Sequence, residues 1–167
     1  MSIMRMMMMV RMMMVLTIVR MMMIMTMTMM TMMLTMLELS PARPSWMSIS
    51  QQQLGYKDRM FRVRVDFLQD VVSLDKEKMT VSVEPNITIG LLNRFLVSQG
   101  VTLPVVPELD NLTIGGLVAG GGIESTSHKY GLFHHTATEY EVVVGSGDVV
   151  VCNEHQNTDY FHAVPMR

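Results

Sequence analysis

Residues 107–131, PELDNLTIGGLVAGGGIESTSHKYG, hold six of the chain's eleven glycines. These are Gly115, Gly116, Gly120, Gly121, Gly122 and Gly131. Glycine admits φ > 0 and lets another group approach the backbone closely. Thr113 and the run Ser125, Thr126, Ser127 add hydroxyls. Such a segment either cradles a phosphate with N–H and hydroxyl donors or packs as a glycine-rich turn between two elements. It is not a Rossmann fingerprint, because no G-x-G-x-x-G links a strand to a helix. It is not a P-loop, because no Gly-Lys-Ser/Thr follows.

Upstream, Thr88 to Gln99 reads as a helix. Leu92, Phe95, Leu96 and Gln99 recur at helical spacing, and Gly100 fits the stop position. Val71–Leu74 and Met79–Val83 flank Asp75-Lys76-Glu77-Lys78, the pattern of a hairpin with a polar turn. In FRVRVDF, Phe61, Val63, Val65 and Phe67 alternate with Arg62, Arg64 and Asp66, as in a strand with one solvated face. Met47–Ser50 alternates in the same way. Val101–Val106 is a short apolar strand closed by Pro107.

Downstream, Thr138–Val144 and Asp148–Cys152 are strands joined by Gly145-Ser146-Gly147. Asn157–Pro165 opens a helix capped by Thr158 or Asp159. The order β-β-β-α-β-loop-β-β-α is an α+β arrangement with one clear helix.

The chain has 167 residues, enough for one domain with a tail. A formal net charge of −2 points to no nucleic-acid partner. Cys152 is the sole cysteine, which excludes an internal disulfide and a cysteine-based zinc site. Of the 23 methionines, 19 lie in residues 1–37. That segment is Met, Thr, Leu, Ile and Val broken by Arg5, Arg11 and Arg20, and residues 21–37 carry no charge. It reads as a weak membrane anchor, as a marginally helical or disordered tail, or as low-complexity sequence without a role. The domain division is therefore 1–37, low-complexity and Met-rich, and 38–167, the folded part.

The five histidines show no metal-ligand spacing. His134 and His135 are adjacent, so on an extended chain they point to opposite faces. Glu124 and His128 stand four apart and pair as acid and base only if that stretch is helical. Cys152 reads as a buried structural thiol. Asn86-Ile87-Thr88 and Asn111-Leu112-Thr113 match the glycosylation pattern and are read as accidental.

The run from Arg43 to Pro165 closely resembles the delta-24 sterol reductases, flavoproteins with a vanillyl-alcohol-oxidase (PCMH) type FAD-binding domain. The likeness is most specific in PELDNLTIGG, GIESTSHKYGLF and DYFHAVP. It implies that the folded part is a partial PCMH-type FAD-binding domain. It also implies that Thr113, Ile114, Gly115, Gly116, Leu117, Val118, Ala119, Gly120, Gly121, Gly122, Ile123, Glu124 and Ser125 lie along the FAD pyrophosphate and flavin. The activity implied is reduction of the sterol side-chain double bond, with FAD relaying a hydride from NADPH, at the endoplasmic reticulum membrane. No metal is implied.

The chain departs from the family in three ways. It stops at Arg167, where family members continue into the rest of the FAD-binding domain and a substrate domain. Its methionine-rich start does not resemble the family's anchor. Ala42 and Ser45 stand where glycines are expected. The expectation is thus an FAD-dependent sterol reductase, or a piece of one. The alternatives are a non-catalytic, membrane-tethered fragment with little flavin affinity, and an FAD-binding fold acting on a small alcohol.

Overall fold

The structure, a computed structural model, describes residues 9–12, 39–41 and 60–165. The uncharged run 21–37, the alternating Met47–Ser50, and Ala42 and Ser45 lie outside the described residues. The chain divides into two compact units, residues 16–67 and residues 1–15 with 68–167. The smaller unit contributes a two-stranded parallel pair, β2 (Leu39–Pro41) and β3 (Phe61–Val63). The expected alternation is present at Phe61 and Val63, but the strand ends there and Phe67 is exposed. The Asp66 carboxylate draws the Arg64 guanidinium into an exposed ion pair at 2.8 Å, and residues 66–67 form a turn.

The larger unit is built on a mixed sheet of five described strands, in the spatial order Val71–Asp75, Thr80–Val83, Met9–Met12, Ala137–Val143, Val149–Asn153. Strands β4 (Val71–Asp75) and β5 (Thr80–Val83) form the first expected hairpin. Asp75 closes its turn by accepting the N–H groups of Glu77 and Lys78. Strands β6 (Ala137–Val143) and β7 (Val149–Asn153) form the second. Between the two hairpins runs β1 (Met9–Met12), from the methionine-rich segment, parallel to both β5 and β6.

Among the described residues four α-helices and one 3₁₀ helix accompany the sheet, where the sequence shows one clear helix. Helix α1 (Ile89–Ser98) starts at Thr88, whose hydroxyl accepts the Leu91 N–H, and ends before Gly100 at φ +78°. It buries Ile89, Leu92 and Leu96, while Gln99 stays exposed. Each such side chain contributes roughly 1.5–3 kcal/mol. Residues 101–106 are a correction: they run extended and largely buried, not as a named strand. Val101, Leu103 and Val105 are gripped by the core, and only Thr102 makes an isolated bridge, too little to count as a strand.

The second correction falls on the glycine-rich stretch, whose middle is a helix, α2 (Ile114–Gly120), and not a loop. Helix α3 (Ser127–Tyr130) and a 3₁₀ helix (Phe133–Thr136) follow. The last helix, α4 (Thr158–Ala163), begins one residue earlier than expected. Asn157 is its cap residue at φ +51°, with no side-chain capping bond. Phe161 of α4 packs on Tyr140 of β6, ring centres 5.2 Å apart, and closes the core.

Candidate functional site

Helix α2 forms despite its glycines because a neighbouring loop holds its first turn. Residues 86–90 read Asn-Ile-Thr-Ile-Gly and residues 111–115 read Asn-Leu-Thr-Ile-Gly. The two copies run antiparallel through a bridge between Thr88 and Thr113. Ile89 N–H donates to Leu112 carbonyl oxygen (2.7 Å), and Ile114 N–H to that of Ile87 (3.0 Å). Gly90 N–H donates to Asp110 carbonyl oxygen (3.1 Å), and Gly115 N–H to that of Pro85 (2.8 Å). Each threonine hydroxyl caps its own helix, Thr88 toward Leu91 and Thr113 toward Gly116. The glycosylation-like patterns are explained by this capping, which favours threonine at both positions. Each glycine lets the opposite loop come close. A Cβ on Gly115 would lie 3.0 Å from Pro85 Cβ, and one on Gly90 would lie 2.5 Å from Asp110 Cγ.

The clasp makes α2 two-faced. Ile114, Leu117 and Val118 are buried in the core, whereas Gly116 and Gly120, four apart, are exposed. A Cβ built on Gly120 meets nothing within 4 Å. That face is bare backbone, so a ligand can lie flat against it. Gly121 ends the helix at φ +70° in the left-handed region, which turns the chain into Gly122 and Ile123. Ile123 is 75% exposed.

The polar groups past the turn are tightly organised. Ser127 hydroxyl accepts the Glu124 N–H at 2.9 Å, and Ser127 N–H donates to Glu124 carbonyl oxygen. Thr126 hydroxyl donates to Pro104 carbonyl oxygen at 2.8 Å, tying the turn to the buried segment 101–107. Ser125 N–H donates to the Glu124 carboxylate, which lowers that carboxyl's pKa. His128 Nδ1 lies 2.6 Å from Ser125 carbonyl oxygen, an acceptor only, so Nδ1 carries the hydrogen. The acid–base pairing of Glu124 with His128 is absent, because each side chain is held by the Ser125 backbone.

A cavity of about 350 Å³ lies between the 3₁₀ helix, β6 and α4, and is lined by His134, His135, Tyr140, Glu154, Phe161 and His162 among others. His134 and His135 do not diverge as they would on an extended chain. The 3₁₀ turn brings their rings to 4.1 Å between centres. Burial, and then the neighbouring His135 charge, lowers the His134 pKa. Among the described residues no three His, Cys, Asp or Glu side chains are arranged to hold a metal. Cys152 is fully buried, and burial raises its thiol pKa.

Residues 42–153 match the family described as FAD binding domain. The chain belongs to the FAD binding domain family. Over 123 residues this FAD binding domain is 47% identical to the Delta(24)-sterol reductase of Homo sapiens, covering 74% of the chain and 24% of that protein. It is 49% identical over 112 residues to the Delta(24)-sterol reductase homolog of Caenorhabditis elegans, covering 67% and 21%. The chain thus spans about a quarter of the length of the curated relatives it matches. The fold is similar to that of a carbohydrate oxidase from Microdochium nivale, with a TM-score of 0.63 and 22% identity over 80% of this chain and 28% of that one.

All thirteen sequence-predicted site residues lie on α2 and its flanks. Gly116, Gly120, Ile123 and Ser125 are exposed. Gly115, Ala119, Gly122 and Glu124 are half-buried, and Thr113, Ile114, Leu117, Val118 and Gly121 are buried. The supporting carbonyls of Pro85 and Ile87 were not foreseen. The duplicated Asn-x-Thr-Ile-Gly pattern is the signal that could have revealed them.

Proposed function

We propose that the chain supplies the FAD-binding part of a delta-24 sterol reductase, and that Thr113 to Ser125 form the stretch against which FAD lies. The observation that carries this reading is the identity to sterol reductases across a segment whose exposed face is bare glycine backbone. The residues fit the group. Gly120 leaves room for a planar ring or an extended diphosphate chain, and Gly116 is exposed one turn before it. Thr113 fixes the helix start, Gly121 ends the helix in a left-handed turn, and Ile123 and Ser125 beyond it are exposed. When bound, FAD supplies two-electron transfer, which in the relatives' named activity serves to reduce a sterol. In this reading NADPH is the hydride donor, the side-chain double bond of a sterol is the acceptor, and the working protein sits at the endoplasmic reticulum membrane. The role of the chain's own residues is positional. The clasp holds α2 rigid, and the buried Ile114, Leu117 and Val118 keep its glycine face outward.

The test is flavin binding by the purified chain, followed by the quenching of FAD fluorescence. Gly116→Val places a branched side chain on the open face. An affinity loss of about tenfold or more with little change in melting temperature is expected, a tenfold loss being about 1.4 kcal/mol. Equal affinity in the variant and the parent chain overturns the assignment of this face.

A further inference from the structure

The backbone donors of the glycine-rich segment are unequally available. Ile114 and Gly115 N–H groups serve Ile87 and Pro85 carbonyls, and the Gly116 N–H serves the Thr113 hydroxyl. Leu117 and Gly122 N–H groups donate to carbonyls of the same segment, as does that of Gly121 at the helix cap. Glu124 N–H goes to the Ser127 hydroxyl. Ile123 and Thr126 N–H groups have no acceptor among the described residues. Between them stands the Ser125 N–H, whose acceptor is not backbone or hydroxyl but the Glu124 carboxylate.

A carboxylate is an anion, and a diphosphate oxygen seeks the same kind of donor. Two anions on one N–H repel each other. We infer that the Glu124 carboxylate is a built-in competitor for the anionic part of the cofactor, holding the Ser125 N–H until a phosphate displaces it. The inference rests on the FAD-binding reading above and adds a specificity-determining residue to it. The displaced carboxylate leaves easily, because it belongs to the residue just before Ser125 and lies on a half-exposed side chain. The turn keeps its form without it. Ser127 still holds the Glu124 backbone, and Thr126 still donates to Pro104. Glu124 thereby sets how strongly the segment discriminates phosphate-bearing flavins from neutral ones.

The experiment compares Glu124→Gln and Glu124→Ala with the parent chain in titrations with FAD and with riboflavin, which has no phosphate. The amide of Glu124→Gln still accepts the Ser125 N–H but carries no charge, so it separates competition by charge from a simple staple. Both variants are expected to bind FAD roughly fivefold more tightly at low salt, the scale of one like-charge contact at a wet site. Riboflavin affinity stays within about twofold, and the FAD gain shrinks at high salt. Unchanged or weaker FAD binding by Glu124→Gln, with the parent chain binding FAD, overturns the inference and leaves the proposed function standing. Tighter binding of riboflavin by the same factor also overturns it. Absence of flavin binding by all three chains overturns the proposed function and the inference together.

Discussion

Glu141 stands on β6 opposite Val151, only 7% exposed, and its Oε1 has no hydrogen-bond partner among the described residues. Burial raises its pKa, and the nearby Glu139 charge adds to this. A carboxyl whose folded-state pKa is raised holds its proton more tightly folded than unfolded. Stability therefore falls as pH climbs from the ordinary glutamate range through the raised value. Glu141→Gln removes that penalty. It should raise the melting temperature at neutral pH, because a neutral amide does not carry the burial cost of the charge. The gain should vanish below the ordinary glutamate range. Thermal melts of both chains at neutral and acid pH check this; an equal gain at both ends would point to packing instead. Nothing in the alternating TEYEVVV pattern sets Glu141 apart from Glu139. Only the neighbouring strands and the elements covering them make one of the two an orphan.

At the level of elements, the clasp makes a sharper demand than helix propensity. Gly115→Ala brings a Cβ to 3.0 Å from Pro85 Cβ and 3.1 Å from its carbonyl oxygen, backbone that cannot swing away. About 1–3 kcal/mol of destabilisation is expected, the usual range for overpacking. Gly90→Ala meets only the free end of the exposed Asp110 side chain and should cost less. Asp110→Ala in that second chain should restore most of the smaller loss. The Arg94–Asp110 pair lost in the process is exposed and worth little. Denaturant unfolding of the single variants and of the double variant at Gly90 and Asp110 measures the costs and the coupling. The same clasp explains what was legible. Helix α1 announces itself by its periodic leucines, its threonine cap and Gly100, all local. Both hairpins announce themselves by alternation around polar or glycine turns. Helix α2 is hidden because Gly115, Gly116 and Gly120 are poor helix formers and its stability comes from carbonyls about 27 residues away. Val101–Val106 misleads for the converse reason, since its apolar residues are buried in the core while only Thr102 forms a bridge. The glycine richness of the segment was legible, but the state of its backbone donors was not. Which N–H groups are engaged depends on folded contacts such as Glu124 with Ser125.

On the scale of the whole molecule, the five-stranded sheet depends on a segment that composition alone sets apart. Strand β1 joins the two hairpins, with hydrogen-bonded neighbours on both sides. A chain beginning at Glu38 loses that connection and leaves facing edges on β5 and β6 unpaired. Its melting temperature should drop by more than about 5 °C, the effect of roughly 1 kcal/mol in a domain of this size. An unchanged melt would show that the hairpins hold together through the core beneath them. No helix among the described residues is long and apolar enough to cross a membrane.

The paired Asn-x-Thr-Ile-Gly loops also bear on the order of events in folding. Neither helix can complete its first turn alone, since Ile89 needs Leu112 and Ile114 needs Ile87. Two starts 25 residues apart in sequence must therefore lock in a single step, after a loop of that length has closed. In native-state hydrogen exchange the amides of Ile89 and Ile114 should open together, with one common free energy and one response to denaturant. Separate opening energies would mean that the two halves come apart independently.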